Sequence, residues 1–290
     1  MTAMTQSSVV ITGVSSGIGA ATATFLSQHG YHVFGSVRKP DDAARLKESL
    51  GAALTPLIFD VCDARAVQAA AADVAEHLGN QPLRALVNNA GIAAFGPLEC
   101  LDDGLFERSL QVNVAGTRLV TNAFLPLLRG DAASTGKPGT HAGTIINMSS
   151  LSGIVNTPVT GAYCVAKHAL ESLGEVYRRE LLPQGIDVVS IRSGPVRSSI
   201  WEKNTAEMAS PCKHNLYDRL IAGALRSKQG AQQSAIPGEE IAALILDILQ
   251  GRKHRSHYEV SKGAIAARLM TYLPERWLDR VLVHAMSRPG

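Results

Sequence analysis

Tyr163 and Lys167 stand four residues apart in Gly161-Ala-Tyr-Cys-Val-Ala-Lys-His-Ala-Leu170, a stretch that reads as helix. One turn of helix puts their phenol and ammonium groups on the same face. An ammonium beside a phenol favours the phenolate and draws its pKa toward the range useful for proton transfer at neutral pH. The pair alone is a weak signal, because both residues are common on helix surfaces. Its weight comes from the rest of the chain. Thr12-Gly-Val-Ser-Ser-Gly-Ile-Gly19 follows a short apolar run and opens a helical one. Gly13, Gly17 and Gly19 let the backbone turn tightly and approach a pyrophosphate at the helix N-terminus, and Ser16 could add a hydrogen bond to it. The spacing is G-x-x-x-G-x-G rather than the commoner G-x-G-x-x-G.

Past the second strand-like run, Val37-Arg38-Lys39 stands where an acidic residue would grip an adenosine 2′-hydroxyl. A carboxylate would repel a 2′-phosphate, whereas an arginine can clasp it with two charge-assisted hydrogen bonds. NADP(H) is therefore the expected cofactor, with NAD(H) possible; solvated loop charges are the alternative reading of Arg38 and Lys39. Asp60 is placed to accept a hydrogen bond from an adenine amino group, or else to cap the helix near Ala64, for which Asp63 is nearer.

These groups need a scaffold, and the chain alternates to supply one. Apolar runs at 8–12, 31–37, 54–59, 83–87, 144–148, 186–191 and 256–260 read as strands. Helical periodicity covers 18–29, 41–50, 64–78, 102–128 with a possible break near Asn113, 160–182 and 237–250. Such βαβ alternation predicts an α/β doubly wound parallel sheet of about seven strands with helices on both faces, in a single domain spanning 1–290. Two segments stand apart. The 130–142 stretch is polar and rich in small residues. The 195–238 stretch, past the carboxyl end of the sixth strand, reads as a substrate lid.

In order and spacing, Thr12-Gly-x-x-x-Gly-x-Gly19, Asp60, Asn88-Asn-Ala-Gly91, Asn113, Ser150 and Tyr163-x-x-x-Lys167 resemble the short-chain dehydrogenase/reductase family, over roughly Val9 to Ser199. The resemblance implies a hydride-transferring enzyme in which Tyr163 is the general acid/base and Lys167 binds the nicotinamide ribose and lowers the tyrosine pKa. Ser150 would bind the substrate oxygen and Asn113 would hold a water in a proton relay. Ser149 competes with Ser150, and the family's thirteen-residue interval selects the latter. The resemblance extends the cofactor site to Ser15, Ile18, Val61, Asn89, Ala90 and Gly91. After the sixth strand, Ser193-Gly-Pro-Val-Arg-Ser198 departs from the family's usual Pro-Gly; Gly194 would approach the nicotinamide, with Val196 and Ser198 near its carboxamide. Arg178-Arg-Glu-Leu181 and Leu273 to Arg280 look like members acting on steroids, retinoids or other lipophilic alcohols and ketones. Ile200, Trp201, Met208 and Leu216 fit an apolar pocket, and His214 and Tyr217 could touch the substrate. The family commonly forms homodimers or homotetramers through the helices carrying Asn113 and Tyr163. An epimerase, a dehydratase or a nucleotide-sensing regulator on the same scaffold is the rival reading.

Composition narrows the rest. A hydrophobic fraction of 46% supplies a core, and a net charge of +3 with mixed signs leaves no nucleic-acid footprint. Cys62, Cys100, Cys164 and Cys212 have no metal-ligand spacing and read as reduced thiols of a cytoplasmic protein. No metal is expected, and no run is long enough to span a membrane. The 263–287 stretch reads as a helix pair interrupted at Pro274 that closes the domain; a helix lying on a membrane surface is the competing reading.

Overall fold

Three of the strands are apolar enough to be covered on both faces, which is what a central parallel sheet requires. The computed structural model describes residues 6–129, 142–197, 212 and 215–287. Its strands are β1 (Ser8–Ile11), β2 (His32–Val37), β3 (Leu54–Ile58), β4 (Ala85–Asn88), β5 (Thr144–Ser150), β6 (Asp187–Ser193) and β7 (His257–Val260). They form one sheet in the order β3-β2-β1-β4-β5-β6-β7, every neighbouring pair parallel. β1, β2 and β4 are buried throughout. β3 carries Pro56, tolerable because it is an edge strand with no second neighbour to receive an amide.

Alternation along each strand divides the apolar side chains between two layers. Val9 and Ile11 of β1 face one core with α1 (Gly17–Gln28), α2 (Pro40–Leu50) and α8 (Gly238–Leu249). Val10 faces the other, with α3 (Ala64–Leu78), α5 (Thr117–Leu128) and α6 (Gly161–Leu181). Asp63 is the N-cap of α3, its carboxylate accepting from the amides of Arg65 and Ala66, so Asp60 is free of that duty.

The long helical stretch over 102–128 does not break at Asn113. α4 (Asp103–Leu110) widens into a π-turn, Gln111–Gly116, before continuing as α5. Such a turn inserts one extra residue per turn and is frequent at functional sites; here it carries Asn113.

The segment read as a lid contains a helix that its weak periodicity hid, α7 (Asp218–Ser234). The C-terminal pair is present as α9 (Ala264–Met270) and α10 (Glu275–Ser287). α10 docks on α7 through its last turn, where Gly223 meets the Met286 backbone so closely that no side chain would fit. No described helix is long and apolar enough to cross a membrane.

Candidate active site

β1 and β4 are neighbours at the centre of the sheet, while the connections from them run to opposite sides. A crevice opens at such a reversal, outside the carboxyl ends of the strands. The chain has one there of about 320 Å³, running from Arg38 to Tyr163 and Lys167. The glycine turn forms its floor. Gly13 and Gly17 have φ of 72° and 61°, a region that a side chain disfavours. At Gly19 a Cβ would collide with the Gly13 carbonyl and the Asn89 amide, so the third glycine lets helix and turn close on each other.

Hydrogen bonds tie that turn to the Asn-Asn-Ala-Gly segment. Thr12 Oγ1 accepts from the amides of Asn89 and Ala90, both at 2.9 Å. Asn89 Nδ2 donates to the carbonyls of Thr12 (2.8 Å) and Gly13 (3.0 Å). Asn89 is thus a brace for the turn. Ala90 and Gly91 face the cleft, as do Ser15, Ser16 and Ile18. Ser16 caps α1 without a side-chain hydrogen bond, so its hydroxyl is free of the capping role.

Arg38 borders the cleft where β2 ends, and Lys39 follows it as the N-cap of α2. Both are exposed, and neither has an ion-pair partner among the described residues. Asp60 and Val61 border the same end. Asp60 is already engaged: one oxygen accepts from the Cys62 amide at 2.9 Å and the other pairs with Arg108 at 2.7 Å. Burial works to raise its pKa, but the Cys62 amide and the Arg108 guanidinium outweigh it and hold the carboxyl below its ordinary value. Arg108 also borders the cleft and was missed, since nothing in an isolated helical arginine announces its partner. Ser36 was missed too; its hydroxyl accepts from the Gly13 amide at 3.1 Å.

At the far end, Tyr163, Lys167, Ser150 and Asn113 come together as expected. Ser150, at the last position of β5, lies beside the Tyr163 hydroxyl and works to lower its pKa. Ser149 precedes Ser150 on β5, is 3% exposed and has its hydroxyl beside Gly153, while still bordering the cleft. Asn113 is 1% exposed; its Nδ2 donates to the Ile92 and Ser109 carbonyls, both at 2.9 Å. That fixes Oδ1 toward Gly91, and Oδ1 has no hydrogen-bond partner among the described residues.

The expected drop in the Tyr163 pKa is not met in the protein alone. Burial pushes the phenol up to about 12, against the Ser150 hydrogen bond. Burial likewise brings the Lys167 ammonium down to about 8, although Glu171 opposes the fall. Lys167 Nζ donates to the Met148 carbonyl at 2.8 Å and lies 5.6 Å from the Tyr163 ring centroid. It is directed at β5 rather than at the phenol, so desolvation dominates both groups.

Beyond β6 the residues expected at the nicotinamide sit against neighbouring parts of the chain. At Gly194 a Cβ would meet Ser261, so the close approach there is to the loop after β7. Val196 is buried in the core and bridges Ile236. Neither borders the cleft; Ser193 does. Ser198, Ile200, Trp201, Met208 and His214 lie outside the described residues. Leu216 is 76% exposed and lines no pocket wall, and Tyr217 donates to Glu99 at 2.7 Å. Beside Tyr163 the chain packs an apolar cluster of Phe95, Val159, Leu220, Ile221, Ala224 and Met286. Cys164 and His168 are packing residues: Cys164 is buried, and the His168 ring bonds the Cys164 carbonyl within its own helix.

The reading of four reduced thiols is also corrected. Cys100 and Cys212 form a disulfide, while Cys62 and Cys164 are free. The pairing was invisible in the sequence because 112 residues separate the partners and only the fold brings them together. Closing so long a loop stabilises chiefly by restricting the unfolded chain. Reduction, or Cys100→Ser, is expected to lower unfolding stability by about 2–4 kcal/mol. Denaturant melts with and without dithiothreitol check this, and identical midpoints would count against a bridge that contributes to the fold.

Residues 7–209 match the family model described as short chain dehydrogenase. The NADPH-dependent 3-dehydrocapnine reductase of Ornithobacterium rhinotracheale is 32% identical over 280 residues, covering 96% of this chain and 97% of that protein. Human 17-beta-hydroxysteroid dehydrogenase type 1 is 32% identical over 267 residues, 88% of this chain and 77% of that one. A crystal structure of a short-chain dehydrogenase from Streptomyces avermitilis superposes with a TM-score of 0.77 at 24% identity, covering 99% of this chain and 98% of that one.

Proposed function

This chain belongs to the short-chain dehydrogenase family, and from that premise we propose that it is an NADP(H)-dependent oxidoreductase acting on the carbonyl or secondary alcohol of a lipophilic small molecule. The observation that carries the reading is the meeting of Tyr163, Lys167 and Asn113 at one end of a cleft whose other end is Arg38, with Ser150 beside Tyr163.

The residues present fit the dinucleotide. The glycine turn leaves a cradle that Cβ atoms at Gly13 or Gly19 would fill, at the N-terminus of the twelve-residue α1. Arg38 and Lys39, without an ion-pair partner among the described residues, offer positive charge for a 2′-phosphate. The 3-dehydrocapnine reductase, named as NADPH-dependent, points the same way. Asp60 and Val61 would flank the adenine, with Ala90 and Gly91 near the sugar. Lys167 would hold the nicotinamide ribose.

The bound dihydronicotinamide supplies hydride to the carbonyl carbon. Tyr163 hydrogen-bonds the carbonyl oxygen and gives it the phenolic proton as negative charge develops there. A phenol raised to about 12 is reliably protonated at neutral pH, which suits it to donate. Ser150 holds the same oxygen in place. Asn113 Oδ1, an acceptor beside Gly91 with no hydrogen-bond partner among the described residues, is suited to order the water through which Tyr163 is reprotonated. In the oxidation direction each proton moves in reverse.

The apolar group formed by Phe95, Val159, Leu220, Ile221 and Met286 beside Tyr163 favours a lipophilic substrate. A relative named as a hydroxysteroid dehydrogenase is consistent with that. On α6, Val165 and Val176 remain exposed on the face away from Lys167, as the family's subunit pairing through this helix would leave them in one chain. If the enzyme works in the cytoplasm, glutathione there would hold Cys100 and Cys212 reduced. The test is carbonyl-dependent loss of NADPH absorbance across a panel from short polar ketones to alicyclic and aromatic ones. Turnover favouring the apolar members is expected. Tight NADPH binding with no turnover across the panel would shift the reading to a nucleotide sensor.

A further inference from the structure

Behind the catalytic pair lies a set of buried charges that the reaction does not use directly. Glu171 is four residues beyond Lys167 on α6, hence on the same face one turn deeper, and is 8% exposed. Its Oε2 pairs with Arg192 of β6 at 2.9 Å and lies 3.6 Å from His257 Nε2 of β7. Arg192 also pairs with Glu259 of β7 at 3.3 Å. Glu171 Oε1 and Arg192 Nε have no hydrogen-bond partner among the described residues. A core of this kind is costly to keep unless it does something beyond packing, since apolar residues of similar volume would stabilise at least as well.

We propose that Glu171 is a positioning residue that keeps Lys167 charged inside the protein, and that Arg192 limits how strongly it does so. Lys167 faces no other carboxylate among the described groups named around it. From its own helix it meets the Tyr163 ring and Glu171; from β5, the neutral Met148 carbonyl; from the π-turn side, the neutral Asn113 amide near Gly91. The nearest charges on β6 and β7 act through Glu171: Arg192 first, then Glu259 and His257. An isolated ammonium so enclosed would shed its proton, and Glu171 works against that. Arg192 offsets part of the Glu171 charge, and Glu259 in turn offsets part of Arg192. The arrangement therefore sets the pH at which the ammonium is lost.

For the reaction, the inference rests on the proposed role of Lys167; its test does not. Cofactor-free protein is pulsed with acetic anhydride, which acylates only neutral amines, between pH 7.5 and 10.5, and Lys167 is followed by peptide mass spectrometry. Above pH 7.5 His257 stays neutral, since burial and then Arg192 hold it below its ordinary value. The wild-type midpoint is expected near 8. Glu171→Gln should bring it down by roughly one pH unit or more, so that Lys167 is already reactive at pH 7.5. Arg192→Gln should move it up, because Glu171 then acts unopposed, and Glu171→Asp should lie near wild type. The alkaline limb of kcat should move in step. A defect of packing would not send the two variants in opposite directions. Unmoved midpoints, or shifts of one sign, overturn the proposal. Where Glu171→Gln fails to fold by circular dichroism, the upward shift in Arg192→Gln decides, and its absence is equally fatal. Turnover lost with the labelling shifts intact would remove the redox reading while leaving the Glu171 inference standing.

Discussion

Replacing Tyr163 with phenylalanine is expected to lower kcat by about 10²–10⁴-fold, the usual worth of a positioned general acid. The ring is kept, so its packing with Phe95, at 6.4 Å between centroids, and the apolar group around Met286 should survive. Unfolding stability and NADPH affinity should therefore stay close to wild type. What is lost is the one proton held opposite Ser150 and a hydrogen bond that strengthens as the substrate oxygen gains charge. The loss should appear in kcat and kcat/KM alike, because the interaction is made in the transition state. Ser150→Ala, which removes a hydrogen bond but not the acid, should cost less. A Tyr163→Phe protein with wild-type turnover would take Tyr163 out of the mechanism, whatever the family's pattern.

The second large effect concerns the opposite end of the cleft. Arg38→Asp removes a fork of donors from the position next to β2 and puts a carboxylate there. Charge-assisted hydrogen bonds are worth about 1.5–3 kcal/mol, so the KM for NADPH should rise roughly 10- to 100-fold. NADH has no 2′-phosphate, and its KM should change by no more than a few-fold, or improve if the new carboxylate grips the ribose hydroxyl. Arg38 is exposed, so the fold should be indifferent to the change. Steady-state kinetics with both cofactors read the outcome. An equal loss for the two would assign Arg38 to general attraction and leave Lys39 as the phosphate's partner.

How much of this was legible in advance depended on whether a residue acts through local spacing or through the fold. The glycine turn, the tyrosine-lysine pair and the strand alternation are local, and the structure has them where the sequence placed them. The family's interval selects Ser150 over Ser149, and strand alternation sends the two side chains to opposite faces of β5. By contrast, Arg108 reaches Asp60 from 48 residues away, and Cys100 reaches Cys212 from 112. No spacing rule predicts either. Gly194 and Val196, expected at the cofactor, lie against Ser261 and Ile236, contacts that no local spacing announces. The apolar cluster packed against Tyr163 draws on Met286, more than a hundred residues further along, which no local pattern could announce. The direction of the Tyr163 shift failed for a different reason: a lysine one turn away is not a lysine aimed at the phenol, and burial acts on both.

The position of β1 has a consequence for how the chain is made. Val9, Val10 and Ile11 pair on one side with Val33, Phe34 and Gly35 and on the other with Ala85, Leu86 and Val87. As the chain leaves the ribosome, β1, β2 and β3 can assemble early, but the other edge of β1 stays open until β4 has been synthesised. That edge is wholly apolar, and an unpaired apolar edge is a template for the wrong partner. Parallel pairing over such separations is also slow to form. The strand order that opens the cleft thus leaves an apolar edge of β1 uncovered until β4 has been made.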